Sequence, residues 1–96
     1  MKKRLFSEKN FSNELIRIIR TTKDEKKLPK LLSDYHEKDI AEAITLLTAA
    51  ERKHLYHVLG TQTVAEIFSY LDDAEPYIAE LPVVLAAKVV SYMDAD

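Results

Sequence analysis

The chain contains no cysteine. That excludes a disulfide framework, a thiolate metal site and a cysteine nucleophile. It holds a single glycine, Gly60, and only three prolines in 96 residues. A lone glycine excludes a glycine-rich phosphate loop, and an all-β domain would need many more turn residues. Tryptophan is absent, and so is any long apolar run. The longest stretch free of Asp, Glu, Lys and Arg, residues 54–65, includes two histidines, Gly60, Gln62 and two threonines. It falls far short of the roughly 20 apolar residues that a membrane span needs. Near the N-terminus, Lys2, Lys3 and Arg4 are followed only by Leu5 and Phe6 before Ser7 and Glu8, which is no secretory leader. These absences predict a soluble, cytoplasmic chain.

What remains is ordinary for a globular domain: 47% hydrophobic and 31% charged residues. The length allows one small domain. The net charge of −2 conceals an asymmetry. Residues 1–30 carry ten Lys or Arg against four acids, a net +6, whereas residues 31–96 carry four basic and twelve acidic residues, a net −8. Either the two parts simply attract each other across a solvated surface, or the acidic part recruits cations.

Helical periodicity dominates. Phe11, Leu15, Ile18 and Ile19 form one stripe and predict a helix over residues 11–22. Residues 23–27 are a charged connector, and Pro29 suits the first turn of a short helix carrying Leu31 and Leu32. A repeat follows. Residues 40–47 (IAEAITLL), 64–71 (VAEIFSYL) and 86–93 (AAKVVSYM) align at offsets of 24 and 22. Each copy is apolar at i, i+3, i+4 and i+7: Ile40, Ala43, Ile44 and Leu47; Val64, Ile67, Phe68 and Leu71; Ala86, Val89, Val90 and Met93. That is one helical face. Ala41, Ala65 and Ala87 share a small slot that lets a neighbouring helix approach. Between copies, Thr48 and Glu51 fit a capping box, and Gly60 sits where a helix C′ residue is wanted. Asp72-Asp73-Ala74-Glu75 supplies another cap, with a short helix to about Leu81 that Pro82 ends. The chain thus reads as all-α, built of stacked helical hairpins of 22 to 24 residues that bury their apolar faces only by stacking. Tyr56, Phe68, Tyr70, Tyr77 and Tyr92 are expected in or beside the core. The third copy closes at Met93, and Asp94-Ala95-Asp96 resembles the cap of a further helix, so the chain is expected to continue in a longer protein.

No constellation for catalysis is present: no Ser has a credible His and acid partner, and the chain reads as no enzyme. The basic first third is a candidate nucleic-acid surface, but a pI near 5.9 argues against it. Glu51 and His54 form one Glu-x-x-His pair, and His57 follows one turn later. A di-iron bundle needs two such pairs and two further Glu. Because Leu55, Val58 and Leu59 claim the buried face, these histidines are expected at the surface.

Asp39-Ile40-Ala41-Glu42-Ala43 after Tyr35-His36, then Glu51-Arg52, then Ala65-Glu66-Ile67, then Met93-Asp94-Ala95-Asp96 resemble the cytoplasmic N-terminal domain of MgtE magnesium transporters. The resemblance covers about residues 28–96; residues 1–27 match only as a basic leading helix and connector. It implies a right-handed superhelix of short helical hairpin repeats. It also implies a Mg²⁺-sensing regulatory domain at the cytoplasmic face of the membrane, ahead of CBS domains and a dimeric transmembrane pore beyond residue 96. In the full-length homodimer, Mg²⁺ would bind between the acidic face and the CBS domains and favour the closed pore. The resemblance places ligands at Glu66 and Asp96, with Asp94, Asp72 and Asp73 as further acidic candidates. Each has a plainer role available. Glu66 lies about 200° from Val64 and is a solvated side chain on that geometry, and the aspartates suit helix caps. The alternative reading is a structural helical-repeat interaction module, comparable to the flagellar motor protein FliG.

Overall fold

A computed structural model describes residues 11–94, and every regular element among them is helical. Helix α1, Ser12–Thr21, buries Leu15 and Ile19 together with Phe11 just before it, as the stripe predicts. It stops where Thr22 turns extended, and the Thr22 N–H donates to the Ile18 carbonyl. Helix α2, Lys27–Leu32, carries Pro29 in its first turn and buries Leu28 and Leu32.

Helix α3, Glu37–Ile44, holds the first repeat copy and buries Ile40, Ala41, Ala43 and Ile44. Its N-cap is His36, whose Nδ1 accepts the Lys38 N–H at 3.0 Å. Glu37 and Asp39 place negative charge in the first turn, where exposed N–H groups favour it. Helix α4, Ala49–Leu59, begins with the expected capping box. The Thr48 hydroxyl accepts the Glu51 N–H at 3.2 Å, and the Glu51 carboxylate accepts the Thr48 N–H at 2.9 Å.

Gly60 ends α4 and starts α5, Thr61–Phe68, without any linker. Its φ of +88° lies in the region that favours glycine. A Cβ there would meet nothing within 4 Å, so a substitution would be opposed by backbone conformation alone. A four-residue helix α6, Glu75–Ile78, has Pro76 in its first turn, and α7, Val83–Asp94, follows Pro82.

The odd-numbered helices stack in order: α1 on α3, α3 on α5, α5 on α7. The even-numbered helices brace them, with α4 against α5 and α2, and α6 against α7. One core runs from Phe11, Leu15 and Leu28 through Ile44, Leu55 and Phe68 to Val89. The fold is therefore an all-α helical repeat.

Three expectations change. In the third copy only Val89 is buried; Val90 is 38% exposed and Ala87 is open. No further helix packs on that side of α7 among the described residues, so its stripe lacks the cover that α3 and α5 have. Tyr70 and Tyr92 stand out from the core at 48% and 47% exposure. Asp94 is the last residue of α7 rather than a cap ahead of another helix.

Candidate functional site

The acidic residues divide by whether the fold already uses them. Glu80 is used. It faces Arg52 of α4 across a pair in which both side chains are mostly covered, 14% exposed for Arg52 and 18% for Glu80. Arg52 Nε donates to both Glu80 oxygens at 3.0 and 3.2 Å, and Nη2 donates to Oε2. Arg52 Nη1 donates to the Leu47 carbonyl, and its guanidinium lies over the Tyr77 ring, 5.2 Å from the centroid. Hydrogen bonding to Arg52 holds the Glu80 carboxyl below its usual range, and the same bond raises Arg52. The Tyr56 hydroxyl reaches Glu80 at 3.4 Å, and burial pushes its own pKa up. This network ties the end of α3 and helix α4 to the turn before α7.

Glu51 is used as well. Besides the capping box, it accepts from Arg20 Nε at 2.7 Å and Nη2 at 3.1 Å, joining α1 to α4. The Arg20 bond, with the cap, lowers its pKa to about 2.

Of the predicted ligands, Glu66, Asp72 and Asp94 belong to the other class. Glu66 is exposed on α5, and only its backbone carbonyl is engaged, by the Ser69 hydroxyl. Asp72 and Asp73 lie exposed in the turn between α5 and α6. Asp73 Oδ1 accepts the Glu75 N–H at 3.2 Å in a local turn, but the N-cap of α6 is Ala74 and no side chain caps that helix, so the expected Asp72-Asp73 cap is not formed. Asp94 is exposed at the end of α7, and Asp96 lies outside the described residues. Among the described residues, Glu42, Glu66, Asp72 and Asp94 make no ion pair.

The fold brings two of the predicted residues together. Asp72 and Asp73 line a groove of about 440 Å³ with Lys38, Glu42 and Thr45 of α3 and with Tyr70, Leu71 and Tyr77. Three carboxylates there face one ammonium group. The rings of His36 and Tyr70, 5.3 Å apart and edge to face, hold the start of α3 against the end of α5 beside it. Glu66 and Asp94 are not part of this groove. Glu42 is the member that sequence reasoning left aside; its signal was the repeat slot it shares with Glu66.

The donor set can be tested against a metal ion. Among the described residues, no three His, Asp or Glu side chains are placed to hold one. The described residues by themselves thus lack the six or more oxygens of a calcium-type cage. Mg²⁺ makes a smaller demand: it keeps most of its waters and takes one or two carboxylates. Exposed, unpaired carboxylates on a rigid helical frame fit half of such a site.

The same frame also carries the histidines. His54 and His57 are exposed, as expected, and His54 lies 3.8 Å from Glu25. No helix of the described residues is long and apolar enough to cross a membrane.

Residues 35–96 match the family model described as the MgtE intracellular N domain. No curated protein and no solved structure matches the chain.

Proposed function

The chain belongs to the MgtE intracellular N domain family, that of an N-terminal domain of magnesium transporters, and from that premise we propose that it senses Mg²⁺ for the transporter. The family is one of regulatory domains rather than enzymes. The observation that carries the sensing role is the set of exposed, unpaired carboxylates, Glu66 and Asp94 with the Glu42, Asp72 and Asp73 groove.

Such a surface binds a hard cation weakly alone. Opposite a second acidic surface it binds better, because the ion also relieves the repulsion between the two. Binding energy then becomes coupling energy between an open and a compact arrangement. In this reading the facing surface is a CBS domain of the same polypeptide, and the compact arrangement favours a closed pore at the cytoplasmic face of the membrane. Glu66 and Asp96 act as ligands, with Asp94, Asp72 and Asp73 adding to the acidic field. Glu80 and Glu51 take no part, since arginines already hold them.

The test compares protease protection by Mg²⁺ in the full-length protein with and without Glu66→Ala and Asp96→Ala together. Protection should weaken in the double variant; unchanged protection refutes the assignment. The isolated 96-residue chain should give only weak calorimetric heats with Mg²⁺. A tight stoichiometric signal contradicts a shared site.

A further inference from the structure

A cavity of about 300 Å³ opens between α4, the start of α5 and the start of α7. That volume is the lower end of what holds a small organic ligand. Its floor is Tyr56, Val64 and Val89, all buried. Its wall is Leu81, Pro82 and Leu85, from the turn before α7 and the first turn of that helix. Everything that residues 81–89 contribute is therefore apolar.

The polar lining comes from the other side. Lys53 and His57 belong to α4, and Thr61 opens α5. Lys53 and His57 are four residues apart and so share one face of their helix. The remaining polar atom, the Tyr56 hydroxyl, is engaged with Glu80. The cavity thus has an apolar end and a polar end.

The charge at the polar end has one sign. No carboxylate lines the cavity. Among the described residues, neither Lys53 nor His57 makes an ion pair. Lys53 adds to the positive field on Glu80, but Arg52 already holds that carboxylate, and Glu80 is not part of the lining. The Lys53 ammonium offers only donors, and His57 and Thr61 each offer at least one more. An anion satisfies such a set. A bare inorganic anion would gain nothing from the floor and wall, and an uncharged apolar molecule would leave the donors without a partner.

We propose that this cavity binds a small monocarboxylate with an apolar body. The carboxylate meets Lys53, His57 and Thr61, and an alkyl or aryl body lies against Val64, Leu81, Leu85 and Val89. At roughly 30 Å³ per heavy atom, the space holds about ten of them. A molecule seated there touches α4, α5 and α7 together and stabilises the folded chain by mass action. It needs neither Mg²⁺ nor a facing acidic surface, so the site is independent of the sensing role.

Octanoate, which matches that size, is the probe, and the test is an amide NMR titration of the 96-residue chain in Mg²⁺-free buffer. Shifts should concentrate at residues 53–64 and 81–89, with a dissociation constant of about 0.1–1 mM. The same chain length without the charge, 1-octanol, should bind at least about fivefold more weakly. Acetate, which has the carboxylate and no body, should give no such shifts up to about 10 mM. Lys53→Gln with His57→Gln, both exposed positions, should weaken octanoate at least about fivefold and leave octanol unchanged. Leu85→Asp places a carboxylate in the wall and should weaken both, with unchanged circular dichroism. Four results would each overturn the proposal: no octanoate shifts at the lining residues, equal affinity for octanoate and octanol, octanoate binding indifferent to the double variant, or lining shifts that follow protein concentration alone, the mark of a second copy filling the cavity.

Discussion

Phe68 on α5 and Val90 on α7 hold the same position of the repeat, yet Phe68 is 1% exposed and Val90 is 38% exposed. The helices themselves are alike in pattern. Their surroundings differ: α5 lies between α3 and α7, whereas α7 has α5 on one side only and the small α6 beside it. An apolar stripe thus gives a helix the capacity to pack, and the neighbours decide whether burial follows. Fully burying a side chain of this kind stabilises by about 1.5–3 kcal/mol, so the two positions contribute very differently.

Substitutions at matched positions sharpen that contrast. The largest effect is expected at the covered copy. Phe68→Ala should cost about 3–5 kcal/mol, read by urea denaturation, because its ring packs edge to face on Tyr56 at 5.4 Å and leans on Tyr77. At low protein concentration, Val90→Ala should cost under about 1 kcal/mol. Equal losses would break the comparison.

Next comes the pair that fastens the α7 side to the rest. Arg52→Ala leaves the Glu80 carboxylate mostly covered and unpaired and should cost about 3 kcal/mol in the same assay. Arg52→Ala with Glu80→Ala together should cost less than the two single losses summed, and strict additivity would count against the network.

A smaller effect is expected from filling the small slots. Ala65→Leu forces atoms into a packed site and should destabilise by about 1–3 kcal/mol. Ala87→Leu, in the open slot, should change stability by no more than about 0.5 kcal/mol.

The smallest contributions are local to α4. Thr48→Ala removes the cap and should cost about 1 kcal/mol. Glu51, at about 2 in the folded chain against 4.5 for an ordinary glutamate, binds its proton more weakly when folded. Its contribution is complete above about pH 4.5 and is lost as pH falls towards 2. An acid titration of stability should therefore be shallower in Glu51→Gln than in the parent over that window.

Most of the helical framework was legible because its causes are local. Stripe periodicity located α1, α3, α5 and α7, the capping box located α4, and Pro82 marked the start of α7. The α3 cap was missed because histidine is an unusual capping acceptor, although His36 stands directly before the acidic first turn. Helices α3, α5 and α7 each begin three residues ahead of their repeat copies, at Glu37, Thr61 and Val83, and before α5 the positive φ of Gly60 lets one helix pass straight into the next. The acidic surface was legible in composition, and its internal sorting was not. Glu80 and Asp72 look alike in sequence, but Arg52 lies 28 residues from Glu80 and meets it only after α4 packs. The meeting of Glu42 with Asp72 and Asp73 is equally non-local.

By itself, then, the sequence determined helix content, cap chemistry, the repeat register and a family match beginning at Tyr35, since each depends on residues within a few turns or on their order. Tertiary structure decided which copies of the stripe are covered, which carboxylates are held by arginines and which remain free to meet a cation. Those outcomes depend on which distant surfaces touch, and a periodic pattern is the same whether or not a neighbour arrives to cover it.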